Sequence, residues 1–96
     1  MPTSSANIPT EHASKYLQQL CKHWSHRLTV EFDPNDGSVI FDEARSCRFH
    51  AEADHLNVVI TTASADDLVR TEGTVINHLR RFAFREELAD PAWIHG

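Results

Sequence analysis

The densest run of chemically capable side chains is Cys21-Lys22-His23-Trp24-Ser25-His26. A thiol and two imidazoles this close together form a donor set that divalent metals select. On a helix, His23 and His26 are three apart and share a face. Cys21 lies about 200° around the axis from His23, at roughly 100° per residue, so the three cannot converge while the segment stays helical. A two-histidine site therefore needs another ligand from elsewhere, and His50, His78 or a carboxylate are the candidates. Use of His23 or His26 as a general base is the catalytic version of the same idea, and it requires a pocket that shifts the imidazole pKa. The plainer alternative, that both are border and surface residues near a helix end, is the favoured reading.

The second candidate is His78-Leu79-Arg80-Arg81-Phe82-Ala83-Phe84-Arg85-Glu86-Glu87. Guanidinium forks grip phosphate or carboxylate in two-point contacts, so Arg81 beside His78 is a candidate anion site. In helical projection Phe84 falls opposite Phe82. Either the helix ends there, or Phe84 is exposed and marks a contact surface. A solvated helix end is again the plainer reading. Asp33-Pro34-Asn35-Asp36-Gly37 faintly suggests a calcium loop, but the glycine arrives one residue early and Ala44 occupies the closing ligand position. A hairpin turn suits it better. The sequence has no glycine-rich phosphate loop, HExxH, CxxC or nucleophile elbow, and its serines, histidines and acids show no triad spacing.

Composition narrows the classes. The chain has 96 residues, enough for one domain with one modest core. Its formal net charge is -5, from 9 basic and 14 acidic residues, which makes nucleic acid and anionic membrane poor partners. The seven histidines would carry the charge from -5 to +2 if all were protonated. No apolar run approaches the roughly 18 residues a membrane span needs, and the opening MPTSSANIPT has no secretion-signal character. The expected location is cytoplasmic, with Cys21 and Cys47 as buried thiols and not a disulfide.

The elements that must position these groups follow from periodicity. Residues 1–9 read as a disordered lead-in and 10–96 as a single α+β domain. Thr10 is the expected N-cap of a helix from Glu11 to about His26, with Ala13, Leu17, Leu20 and Trp24 on one face. Four alternating segments follow: Leu28 to Asp33, Ser38 to Asp42, Ser46 to Glu52 and His55 to Thr62. Their short connections imply an antiparallel meander. Ser64 caps a second helix whose apolar face carries Leu68, Val75, Leu79 and Phe82. Gly73 inside that helix costs about 1 kcal/mol relative to Ala, which implies a closely packed neighbour. Asp90-Pro91 closes the regular structure, and Trp93 and Ile94 in the tail are expected to dock on the body or on a partner. The expected architecture is helix, four-stranded antiparallel sheet, helix, with both helices on one face of the sheet. The other face would carry Thr29, Glu31, Ile40, Arg48, His50, Asn57, Val59 and Thr61, and could meet water, a ligand or a second copy.

The words Leu20-Cys21-Lys22-His23-Trp24-Ser25-His26 and His78-Leu79-Arg80-Arg81-Phe82-Ala83-Phe84-Arg85-Glu86, with the Asp36-Gly37 turn between them, resemble a family of small bacterial proteins known as domain of unknown function 2218. The resemblance runs from about residue 10 to 93. It implies a small bacterial cytosolic protein and no established activity. Some members of the family carry an aldolase label. Metal-enolate aldolases normally use a large barrel and a carboxylate-rich metal pocket, and a domain of 96 residues has neither. The element order is also similar to the small C-terminal domain of phosphohexomutases, a likeness of fold that carries no chemistry.

The leading expectation is a non-enzymatic accessory or binding protein, with a homodimer as the expected assembly. Ile40, Val59, Phe84 and Trp93 are its candidate interface residues. The alternative is a metal- or anion-binding protein, enzymatic in one version, using His23 and His26 with His50, His78 or Arg81. No cofactor is strongly implied, and a divalent metal is the one these side chains would suit.

Overall fold

The computed structural model describes residues 2–88 and 91–96. Its elements run β1 (Thr3–Pro9), α1 (Ala13–Trp24), β2 (Thr29–Phe32), β3 (Asp36–Asp42), β4 (Arg45–Ala51), β5 (His55–Thr62), α2 (Ala65–Phe82) and β6 (Ile94–His95). The strands form one six-stranded sheet in the order β2-β3-β4-β5-β1-β6. Every neighbouring pair is antiparallel. Both helices lie on one face. Leu17, Leu20, Cys21 and Trp24 of α1 and Leu68, Val75 and Leu79 of α2 share one core with Val39, Phe49, Val58 and Ile60 of the sheet. The alternation of β5 is the clearest: Leu56, Val58, Ile60 and Thr62 are all fully buried, and the residues between them are half-exposed.

The sheet has six strands where four were expected, and the reason is instructive. Residues 3–9, read as a disordered lead-in, form β1, an interior strand along the full length of β5 from Thr3↔Thr61 to Pro9↔His55. Ser4, Ala6 and Ile8 point into the core and are buried. Two of these three are small, so no apolar run marks the strand. Its stability comes from main-chain pairing with a segment more than 45 residues away and from cover by α2, neither of which is a local signal. The tail then adds β6 to the outer edge of β1, pairing Ser5 with Ile94 and Ser4 with His95. Trp93 packs against the core, so the tail docks on the body. Asp90 of the expected closing pair lies outside the described residues.

Three local expectations also change. α1 begins at Ala13, and its N-cap position is His12, which makes no side-chain cap bond. Thr10 is instead buried just before it, and its hydroxyl accepts the His12 N–H. Among the described residues, Gly73 has nothing beyond its own helix within 4 Å of where a Cβ would stand, so no close neighbour explains it. The close approach is at Gly37, where a Cβ would stand 2.6 Å from the Cys21 Sγ. Among the described residues none has a positive φ, so Gly37 serves that contact and not a turn. The reversal between β2 and β3 is made by Asp33, whose Oδ1 accepts the N–H groups of Asn35 and Asp36. At α2 the reading holds: Ser64 is the N-cap and its hydroxyl accepts the Asp67 N–H. That helix ends at Phe82, and Phe84 beyond it is 74% exposed.

Candidate functional site

The helices leave the opposite face of the sheet uncovered, and register decides which side chains meet there. One row runs Asp36, His50, Asn57, Asn7 from β3 to β1. The next runs Glu31, Ser38, Arg48, Val59, Ser5 from β2 to β1. Beyond it lie Thr29, Ile40, Ser46, Thr61 and Thr3. Each row exists because neighbouring strands are about 4.8 Å apart and residues in register present side chains to the same face. A groove of about 700 Å³ lies over the first two rows, lined by Glu31, Asp36, Ser38, Arg48, His50, Asn57 and Val59 among others.

Its electrostatics are mixed. His50 is held between two carboxylates, with Nδ1 2.7 Å from Asp36 Oδ1 and Nε2 2.8 Å from Glu52 Oε1. Carboxylates accept and cannot donate, so the ring satisfies both best as an imidazolium. The His50 pKa is raised from its ordinary 6.5, first by the bond to Asp36 and then by that to Glu52. Asn57 donates to Asn7 Oδ1 at 2.8 Å. Asp33 is held below the usual carboxylate range by the backbone N–H groups of Asp36 and Asn35. Arg48 is exposed in the middle strand of the groove, and among the described residues its guanidinium has no hydrogen bond or ion pair. The groove thus combines one unengaged guanidinium and one tethered imidazole with the carboxylates of Glu31, Asp33 and Asp36.

The sequence-derived site residues do not form one constellation. α1 and α2 pack side by side, and this brings His23 and His78 together with ring centroids 5.4 Å apart. His78 also lies 5.2 Å from the Trp24 ring, and its Nδ1 meets the Thr74 carbonyl at 2.8 Å. A carbonyl only accepts, so Nδ1 carries a proton, and the neutral ring in this tautomer presents its lone pair at Nε2. His26 and Arg81 are exposed and share no bond with this pair. His50 is on the far side of the sheet from both helices. Among the described residues, no group of three or more His, Cys, Asp and Glu side chains converges to hold a metal. The four candidate interface residues are also dispersed. Ile40, 50% exposed, and Val59 share the open face, while Phe84 follows α2 and Trp93 is half-buried on the helix side.

Two networks were not anticipated from the sequence. Tyr16 and Thr10 both donate to Glu86 Oε2, at 2.5 and 3.1 Å. Burial and the bond to Glu86 push the Tyr16 pKa up to about 12, and the same bond lowers that of Glu86. On the helix side of β1, Glu72 Oε2 receives Ser4 Oγ at 2.6 Å and His95 Nε2 at 2.7 Å. The serine proton is directed at the carboxylate and not at the imidazole, which is the wrong order for an activated nucleophile. The cluster ties β1 and β6 to α2. Partners separated by 68 and 76 residues leave no local signature in the chain.

A family model described as an uncharacterised protein conserved in bacteria, DUF2218, matches residues 5–93. The chain belongs to this family. The match starts inside β1, so the interior strand is part of the family domain, which the resemblance read from residue 10 had missed. No curated protein matches the chain. It is similar to PA4090 from Pseudomonas aeruginosa, whose structure was determined by NMR, at 30% identity and a TM-score of 0.78. That likeness covers 100% of this chain and 96% of the other. Among the described residues of this DUF2218 member, no helix is long and apolar enough to cross a membrane.

Proposed function

We propose that this DUF2218 protein is a non-enzymatic binding protein whose ligand lies on the open face of the sheet. The ligand class that suits the groove is a small bipolar molecule, carrying a carboxylate or phosphate beside an ammonium or other donor. The observation that carries this reading is Arg48, an exposed guanidinium with no partner among the described residues, sharing its groove with carboxylates on the β2 and β3 side. The guanidinium offers a two-point grip on an oxyanion. The acids across the groove, on the β2 and β3 side of Arg48, disfavour a purely anionic ligand and favour one with a positive end. His50 supports binding over proton transfer, because both its nitrogens are engaged by carboxylates and neither is left to accept a proton.

Titrating labelled protein with α-amino acids, aminoalkyl phosphates, acetate, phosphate and methylamine, followed by NMR, tests this. Bipolar probes should shift the signals of Arg48, His50 and Val59, and the singly charged probes should bind far more weakly. Loss of a charge-assisted bond worth about 1.5–3 kcal/mol predicts a roughly 10- to 100-fold weaker complex for Arg48→Ala. Absence of any response on this face would remove the reading. A second reading rests on the free Nε2 of His78 beside His23, two imidazoles that would suit a divalent metal. Zn²⁺ added to the same sample distinguishes the two, since its shifts would centre on α1 and α2.

A further inference from the structure

Among the described residues, β2 is an edge strand whose only ladder partner is β3. The Asp33 N–H donates to the Asp36 carbonyl at 2.8 Å. Antiparallel strands alternate the direction of their backbone groups. Asp33, Glu31 and Thr29 therefore turn theirs toward β3, and Phe32, Val30 and Leu28 turn theirs outward. The Leu28 N–H is taken by the Trp24 carbonyl at 2.8 Å. Among the described residues, the N–H and C=O of Val30 and Phe32 and the C=O of Leu28 have no partner. The opposite edge strand, β6, is only two residues long.

The sequence around this edge is complementary to itself. β2 with its flanking residues, laid antiparallel on a second copy and centred on Val30, sets Leu28 against Phe32 and Thr29 against Glu31, and brings Arg27, in the turn just before the strand, to the end occupied by the partner's Asp33. Opposite charges meet at both ends, and apolar residues meet on the helix side. Phe32 is 42% exposed in the single chain, and Leu28 and Val30 are half-buried. No residue in this register stands directly opposite a like charge, and the two Glu31 side chains are diagonal neighbours about 7–8 Å apart. We propose that two copies of the chain pair through their β2 edges about a two-fold axis at Val30, joining two six-stranded sheets into one continuous sheet. Each Val30 N–H would donate to the partner's Val30 carbonyl, and each Phe32 N–H to the partner's Leu28 carbonyl. The contact is isologous and closes on itself, so it yields a dimer and not a fibre. It also places the two open faces side by side.

The paired segment is short, so the interface falls among the small, reversible ones, below about 1,200 Å². Sedimentation equilibrium from about 10 µM to 1 mM covers the matching affinity range. The expected result is a mass rising from 10.9 kDa toward twice that value. Amide exchange on the same samples should slow at Val30 and Phe32 with rising concentration, while Thr29 and Glu31, bonded to β3 throughout, stay unchanged. Val30→Pro deletes an outward N–H that the ladder does not use, and it should abolish association. Arg27→Glu sets like charges against Asp33 at both ends and should weaken association by about threefold or more. If Val30→Pro does not fold, Arg27→Glu and the exchange data decide. A strict monomer at 1 mM overturns the proposal, as does a dimer whose Val30 and Phe32 amides do not respond. Glu31, Phe32 and Asp33 of this edge also line the ligand groove, but Arg27 and Val30 do not, so these two variants test the dimer with the groove's own side chains unchanged, and ligand shifts at Arg48 in the monomeric variant test the ligand reading apart from it.

Discussion

Gly37 sets how closely α1 approaches the sheet, and Gly37→Ala measures that closeness. The added Cβ would stand 2.6 Å from Cys21 Sγ, 3.3 Å from Phe32 Cβ and 3.4 Å from Leu17 Cδ2. Nonbonded heavy atoms settle at about 3.5–4.0 Å, so the sulfur contact alone is short by about 1 Å. Cys21 is fully buried in the same core, and moving its sulfur displaces other core atoms. Overpacking of this kind costs about 1–3 kcal/mol. The φ of Gly37 is not positive, so alanine fits the backbone and recovers about 0.4–1 kcal/mol of chain entropy. The net expectation is a loss of about 1–2 kcal/mol in urea unfolding, read by the fluorescence of Trp24, which is buried against Phe49. Cys21→Ala removes the obstructing sulfur. In the double variant the two costs should fall short of additivity by about 1 kcal/mol. A Gly37→Ala protein as stable as the parent, or strictly additive costs, would refute the packing argument.

Other expectations follow from the fold and the two networks. Deleting residues 2–9 removes an interior strand and the buried Ile8, so the shortened chain should lose its cooperative unfolding transition by circular dichroism; a folded product would contradict the role of β1. Tyr16→Phe strips Glu86 of its short donor and should cost about 1–3 kcal/mol near neutral pH in urea unfolding. The Tyr16 pKa is raised from 10.0 to about 12, so its contribution is present below pH 10 and lost as pH rises toward 12. The Glu86 pKa is lowered from 4.5, so its contribution is present above that value and lost as pH falls. Both thiols should stay unreactive toward a disulfide reagent until the chain unfolds, because burial raises Cys21 to about 11 and Cys47 well above its usual value; a fast reaction of native protein would contradict this. Asp36→Asn should bring the His50 pKa back toward 6.5 in an NMR titration, and an unchanged value would mean that Asp36 is not its main support.

Legibility in the sequence followed the range of each interaction. α1, the four strands from β2 to β5, and α2 with its Ser64 cap were readable because periods of 3.6 and 2 and a side-chain cap are local physics. The bounds of β5 were read to the residue, since Leu56, Val58 and Ile60 alternate without interruption. Of the site, Glu31, Arg48, His50, Asn57 and Val59 were placed on one sheet face by alternation alone. Asp36 and Asn7 were not, because the strand carrying Asp36 was read only from Ser38 and the one carrying Asn7 was not read at all; Ser38 was read in its strand but not assigned to that face.

What the amino-acid order determined unaided is the amphipathic identity of each helix and of the four alternating strands, because each is dictated by neighbours within a few residues. Only the tertiary structure decided that residues 3–9 are an interior strand, that His23 meets His78 while His50 stands on the opposite face, and that Arg48 is left unengaged among acids. Those outcomes depend on register between distant segments and on which face the helices cover. Main-chain pairing can recruit a strand as small and polar as Ser4-Ser5-Ala6-Asn7 without leaving any hydrophobic period to find.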